Sequence, residues 1–273
     1  MRTLPPAVLA VGGRALADLV LPRICGGCAL PGAVLCGSCR RLLARPRLAQ
    51  PRRHPAGFPP TVAAGAYAGH VRPAVLAFKE QGRAELARPL GTALALAVAA
   101  VLGGLPGPLP GTGPGVVLLV PMPSSAAAVR RRGRDHVREL ADAAGAELRA
   151  AGVPAATARL LGRAPGRRVR DSAGLGALER EANLAGRFRG RPLRAGIPPG
   201  SRVVLVDDVV TSGATLTEAA RALRNDIDTP FLRAGTPVLG ADTPVLAAVV
   251  AATPRRPPRA VPAAPAGAFT LRR

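Results

Sequence analysis

At 273 residues, with apolar types at 48% and aromatics at only 2%, the chain is long enough to bury one main core of roughly 200 residues plus an appendage, and that core must be built mostly from Ala, Val and Leu. The balance of 38 basic to 16 acidic residues leaves a net charge of +22, a field that attracts polyanions: nucleic acid, anionic lipid or phosphorylated small molecules. Charge alone does not make a nucleic-acid protein of it, because the arginines are spread over the whole chain, as a GC-rich coding sequence would scatter them, and almost no aromatic rings are available to stack on bases.

The N-terminal stretch MRTLPPAVLAVGGRALADLVLP has an early Arg and a short apolar run, but Arg14 and Asp18 interrupt it and no small-residue cleavage site follows. It reads as a short amphipathic helix, without a targeting signal, and a cytoplasmic location is expected. All four cysteines then fall together, as Cys25, Cys28, Cys36 and Cys39 in CGGCALPGAVLCGSC. Two CxxC pairs separated by seven residues can each grip one ion from a tight turn, and four thiolates in a tetrahedron are the donor set of a structural Zn2+. The alternatives, two disulfides or a redox CxxC, need an oxidising compartment or a thioredoxin-like context, and neither is visible. From 40 to 60 the sequence RRLLARPRLAQPRRHPAGFPP is dense in Arg and Pro and reads as a linker or basic strap, not a packed element. A domain boundary near residue 58 follows, with residues 1–57 forming the N-terminal helix, zinc module and linker.

Beyond it, element types alternate. TVAAGAY (61–67) reads as a strand; HVRPAVLAFKEQ and AELARPLGTALALAVAAVL have helical spacing or composition. The apolar run 90–105 is too short for a membrane span and is expected to be a buried Ala-rich helix. GVVLLVPMP (115–123) reads as a buried strand, and 134–152 as an amphipathic helix with Val137, Leu140, Ala141, Ala144 and Leu148 on one face. VVLVDDVV is a second buried strand, TLTEAARALR a helix, and 245–253 a third strand. Continuous apolar strands alternating with helices imply an α/β fold whose parallel sheet is covered on both faces, here a main domain over 58–253. The segment 225–244, in which TPVL occurs twice, reads as an insertion, and the Pro- and Arg-rich tail 254–273 as disordered.

In such a sheet, ligands bind beyond the C-terminal strand ends. VVLVDDVVTSGATL (203–216) supplies such a place: a strand over 203–206, Asp207 and Asp208 at its end, and a turn into a helix beginning near Leu216. A helix N-terminus offers free N–H groups and partial positive charge, Gly213 permits close approach, and Thr211, Ser212 and Thr215 add hydroxyl donors, with Ala214 between them. That loop suits a phosphate monoester, and the paired acids suit vicinal sugar hydroxyls. A ribose 5-phosphate moiety fits both. The chain's single lysine, Lys79 against 37 arginines, marks a position suited to a compact point charge in place of a planar fork.

An apolar strand, two acids, two apolar residues and T-[S/T]-G-x-T resemble the signature of the type I phosphoribosyltransferases. The CxxC…CxxC, then Tyr67, Gly69, Arg72, Lys79 and Gly82, VPMP, RRRGRDHVRELA, Arg180 with Asn183, and the final loop resemble the ComF family, which includes the GntX-type proteins and is associated with competence, the uptake of DNA. The resemblance spans roughly residues 18–253. It implies a type I phosphoribosyltransferase fold carrying a small four-cysteine zinc module, and phosphoribosyl pyrophosphate (PRPP) bound with Mg2+. Asp207 and Asp208 would hold the ribose and stabilise positive charge developing on its ring; Pro121, Met122, Pro123 and Ser124 would turn amides toward pyrophosphate, beside Lys79 and Arg132. Arg130, Arg131 and Arg134 could face pyrophosphate or nucleic acid. Thr211 stands where purine-salvage members carry an acid, so no general base is evident, and the family's RGFNQ is here Arg132, Gly133, Arg134, Asp135 and His136, with Ser172 near a family Gln. Transfer to an unidentified acceptor and a non-catalytic role sensing PRPP or binding single-stranded DNA or uptake proteins both stay open.

Overall fold

The computed structural model describes residues 23–51, 55–104, 115–165, 186–191, 197–198, 200–227 and 244–254. The N-terminal helix expected before the cysteines, Ser172, Arg180 and Asn183, most of the 225–244 insertion and nearly all of the tail lie outside them. Strands β1 (Arg47–Leu48), β2 (Thr61–Ala66), β3 (Val117–Pro121), β4 (Ala155–Thr157), β7 (Arg202–Val210) and β8 (Leu246–Ala252) form a six-stranded sheet in the order β1-β2-β8-β7-β3-β4. All its pairings are parallel except that of β1 with β2. The chain is thus mixed α/β with a mostly parallel central sheet, as its alternating apolar runs predicted. Strands β5 (Leu161–Arg163) and β6 (Phe188–Gly190) form a separate antiparallel pair.

Period-two alternation sends neighbouring side chains to opposite faces, and each face has its own core. Val62, Leu119, Val204, Val206 and Ala248 join one buried cluster, Leu118, Val120, Val203, Leu205 and Val249 the other. The first face carries α1 (Gly37–Leu42), α2 (Val71–Lys79), α3 (Ala87–Gly103) and α5 (His136–Ala150); the second carries α6 (Ala214–Ile227) and the β5–β6 pair. A short helix, α4 (Ala126–Arg132), lies between β3 and α5. The apolar stripe expected for α5 is buried in full. Helix α3, with the 3-10 turn Ala84–Leu86 before it, is long and apolar enough to cross a membrane by length and composition. Leu90, Leu94, Ala97 and Val98 are nonetheless fully buried in the first core, each Leu or Val contributing roughly 1.5–3 kcal/mol by leaving water. A Cβ at Gly91 would collide with Ala143, so the α3–α5 contact depends on that glycine.

Two sequence expectations change. Residues 40–60 are not merely a strap: β1 pairs with β2, the Ala49 amide donates to the Thr61 carbonyl at 2.8 Å, and Ala49 is buried. The basic side chains around it can stay outside because an edge strand needs only one covered face. Strand β7 also runs four residues beyond Val206, since Val209 and Val210 continue its pairing with Ala251 and Ala252, and the next helix starts at Ala214 instead of near Leu216.

Candidate functional site

The longer β7 changes what the paired acids do. Asp207 and Asp208 sit inside the strand, and adjacent strand positions point to opposite sides. Asp207 is half-buried and lines a cavity of about 330 Å³. Asp208 is buried with its oxygens engaged: Oδ2 accepts from Lys79 Nζ at 2.8 Å and lies 3.0 Å from His136 Nε2, and Oδ1 accepts from the Val209 amide at 2.7 Å. Its carboxylate is therefore committed to protein groups, and of the pair Asp207 is the acid that faces the cavity.

Electrostatics separates the two further. Burial, and next the charge of Asp208, push the Asp207 pKa up to about 8. Burial acts on Asp208 too, but the hydrogen bond with His136 and the Lys79 ammonium outweigh it and hold that carboxyl well below the usual range. Burial likewise disfavours the Lys79 ammonium, yet Asp208 overrides it and raises the lysine's pKa. Beside the Asp208 carboxylate oxygen, His136 Nε2 is the donor of their hydrogen bond; Nδ1 is buried without a hydrogen-bond partner among the described residues.

Of the other sequence candidates, Lys79, Met122, Pro123, Ser124, Arg132 and Thr215 line the same cavity. Arg132 reaches it while pairing with Glu80 at 2.7 Å. Of the amides expected over 121–124, Pro121 and Pro123 have no N–H and the Met122 amide donates to the Val206 carbonyl at 2.9 Å, which leaves that of Ser124. Ser124 donates its hydroxyl to Asp135 Oδ1 at 3.0 Å. Thr211 and Ser212 are exposed on the loop, outside the cavity lining, and Ala214 opens α6. Arg134 also lies off the cavity, its guanidinium 4.2 Å from the Phe78 ring centroid and bonded to Glu139, while Arg130 and Arg131 are exposed.

Gly213 has φ +80, and a Cβ there would come within 2.7 Å of the Phe58 ring and 3.1 Å of Pro51. Gly213→Ala is thus expected to push the strap off the loop and adopt a strained backbone, lowering the melting temperature by several degrees for a cost of about 1–3 kcal/mol. Differential scanning calorimetry would show it, and an unchanged transition would count against the packed loop.

Sequence reasoning missed Arg163, Arg187 and Phe188 in the cavity lining. Arg163 ends one three-residue strand and Phe188 begins its partner, strands too short to stand out by periodicity, and the two arginines carry no mark in a chain full of them. His136 was visible only as a departure from a family pattern.

The four cysteines come together as expected. Their sulfurs lie within 4.8 Å of one another, with Cys28 and Cys36 3.6 Å apart, close to the roughly 3.8 Å separation of a ZnS4 tetrahedron with 2.3 Å bonds. The cluster is arranged to hold a metal ion. Burial opposes the Cys25 thiolate, but amides of Cys28, Cys36 and Gly27 facing the sulfur outweigh it and bring the pKa down to about 6. A Cβ at Gly27 would come within 2.7 Å of Cys39 Sγ, so only glycine lets this turn close.

With that geometry in place, the comparison with known families is specific: residues 166–226 match the phosphoribosyl transferase domain. The chain is phosphoribosyltransferase-like there. The match covers less than a quarter of the chain and takes in β6, β7, both acids and the whole 211–215 loop. No curated protein and no solved structure matches.

Proposed function

We propose that the chain binds PRPP with Mg2+ and transfers its phosphoribosyl group to an acceptor, as a ComF-like protein associated with DNA uptake and working in the cytoplasm, where thiols stay reduced. The observation that carries this reading is the meeting of Asp207, Thr215, Lys79 and Arg132 around one cavity, beside the loop that the phosphoribosyl transferase family matches. Thr215 and the 211–214 turn would hold the 5-phosphate. Lys79 and Arg132 would face the pyrophosphate, and Ser124 and Ser125 its approach. Asp207 would lie against the ribose, where an ionised carboxylate stabilises positive charge gathering on the ring as the bond from the anomeric carbon to pyrophosphate breaks. The donor set also fits Mg2+, which is commonly held by one or two carboxylates together with substrate phosphates; it would neutralise the leaving group. Asp208 fixes Lys79, and the four cysteines would hold a structural Zn2+. The domains proposed are residues 1–57, 58–253 and the tail 254–273.

Calorimetry with PRPP and Mg2+ tests the reading. Asp207→Asn is expected to weaken binding about tenfold or more, since it removes the one carboxylate that lines the cavity among the described residues. Wild-type affinity should also climb with pH as Asp207 ionises near 8, and Asp207→Asn should abolish that climb. A wild-type protein that ignores PRPP overturns the reading.

The exposed Arg130 and Arg131 and the net charge of +22 favour a second reading, a non-catalytic accessory that senses PRPP or binds single-stranded DNA. Its mark would be DNA affinity that drops steeply with salt and survives Asp207→Asn.

A further inference from the structure

We propose that Arg163 and Arg187 form a second anion subsite in the cavity, taking the carboxylate or phosphate of a flat, negatively charged acceptor. This rests on the phosphoribosyl-transfer reading and names the class of molecule that receives the sugar.

The cavity has two flanks. Lys79, Arg132 and His136 come from the end of α2, the end of α4 and the start of α5; Arg163, Arg187 and Phe188 come from the β5–β6 pair, which packs on the second face. Asp207 lies on β7 between them. With pyrophosphate on the first flank, the second is left for the molecule that attacks the anomeric carbon.

The cations on the two flanks differ in kind. Lys79 has Asp208 and Arg132 has Glu80. Arg163 and Arg187 pair with no carboxylate among the described residues, although the β5–β6 pairing holds them close: Arg163 is the register partner of Phe188, and the Ala164 amide donates to the Arg187 carbonyl at 2.9 Å. Burial, then the charge of Arg163, lower the Arg187 pKa, and Arg187 Nε is buried without a partner among the described residues. Two like charges held together in a partly enclosed site are relieved by an anion shared between them, and guanidinium forks match a carboxylate or phosphate. Phe188, with Arg163 6.0 Å from its ring centroid, supplies an apolar wall for a flat ring.

The test titrates the full chain, with PRPP and Mg2+ present, against pairs that differ in charge: nicotinate and nicotinamide for a carboxylate, phenyl phosphate and phenol for a phosphate. One anion should bind roughly tenfold or more tighter than its neutral partner, and the pair showing this identifies the group. In Arg163→Gln/Arg187→Gln the preference should shrink to about twofold while PRPP affinity stays within about threefold; Arg163→Lys/Arg187→Lys, which keeps charge without the fork, should retain part of it. Equal binding of both members of each pair overturns the subsite, as does a tenfold loss of PRPP affinity in the Gln variant, which would assign the arginines to PRPP. A wild-type protein that does not bind PRPP defeats the transfer reading instead, and an anion preference measured without PRPP would then still establish the arginine pair as a binding site.

Discussion

Chelating the metal proposed for the four-cysteine cluster, or replacing Cys39 with Ser, is expected to lower the melting temperature by 10 °C or more and to weaken the proposed PRPP binding as well. Structural zinc sites contribute on the order of 10 kcal/mol in isolated fingers, and the four-cysteine cluster does not stand apart from the rest of the chain. Cys25 and Cys39, with Leu35 and Leu43, belong to the same buried cluster as Phe78, Leu86 and Leu90. The knuckle also touches the elements that carry Lys79: the Gly27 Cα faces the His70 carbonyl at the start of α2, Gly26 packs on Leu86, and Arg83 donates to the Ile24 carbonyl at 2.7 Å. Without an ion, four thiols must share a space sized for a tetrahedron of thiolates, and Cys39, whose pKa burial raises, would protonate first. Because binding requires thiolates, acidification should release the metal, and affinity should fall as pH drops. Zinc release followed with a chromogenic chelator, alongside the melting temperature, checks both; a metal-free protein with an unchanged transition would refute the structural role.

What was legible in the sequence follows from how far each signal reaches. Buried parallel strands leave unbroken apolar runs, so β2, β3, β7 and β8 could be read directly, and the α5 stripe was marked by its spacing. The CxxC pairs fix their own geometry within a few residues. The strand end at β7 was not legible, because the acids look like a terminus in one dimension; only pairing with Ala251 and Ala252 shows that the strand continues. With the strand continued, Asp208 turns to Lys79, His136 and the Val209 amide. The β5–β6 flank was hidden for another reason. Its strands have three residues each, and their importance comes from the distant segment that each meets. Edge strand β1 was hidden by its Arg- and Pro-rich setting.

The adjacent acids should respond to mutation in opposite senses. Asp208→Ala would remove the acceptor for Lys79, for His136 Nε2 and for the Val209 amide at once. Removing one partner of a buried ionic network typically costs about 3–5 kcal/mol; Lys79, with 31% of its side chain exposed, can turn partly to water, so about 2–4 kcal/mol is expected, some 5–15 °C for a domain of this size. Asp207→Asn should leave stability unchanged or raised at neutral pH, because it keeps an oxygen for the Asp208 amide, 2.8 Å away, and spares folding the proton uptake that a carboxyl with a folded pKa near 8 requires. The pH dependence separates them by sign. Asp208 has a lowered folded pKa, so its contribution is present above the unfolded carboxylate value near 4 and is lost as pH falls below it. Asp207 has a raised one, near 8; between about 4 and 8 the folded state binds the extra proton, so stability declines across that window as pH rises. Denaturant titrations at pH 3, 5, 6.5 and 8 should therefore show a wild-type decline from 5 to 8 that Asp207→Asn removes, and an acid-side loss between 5 and 3 that is diminished in Asp208→Ala. Parallel pH profiles for the two variants would mean that the carboxylates share one environment and that Asp207 has no privileged place in the cavity.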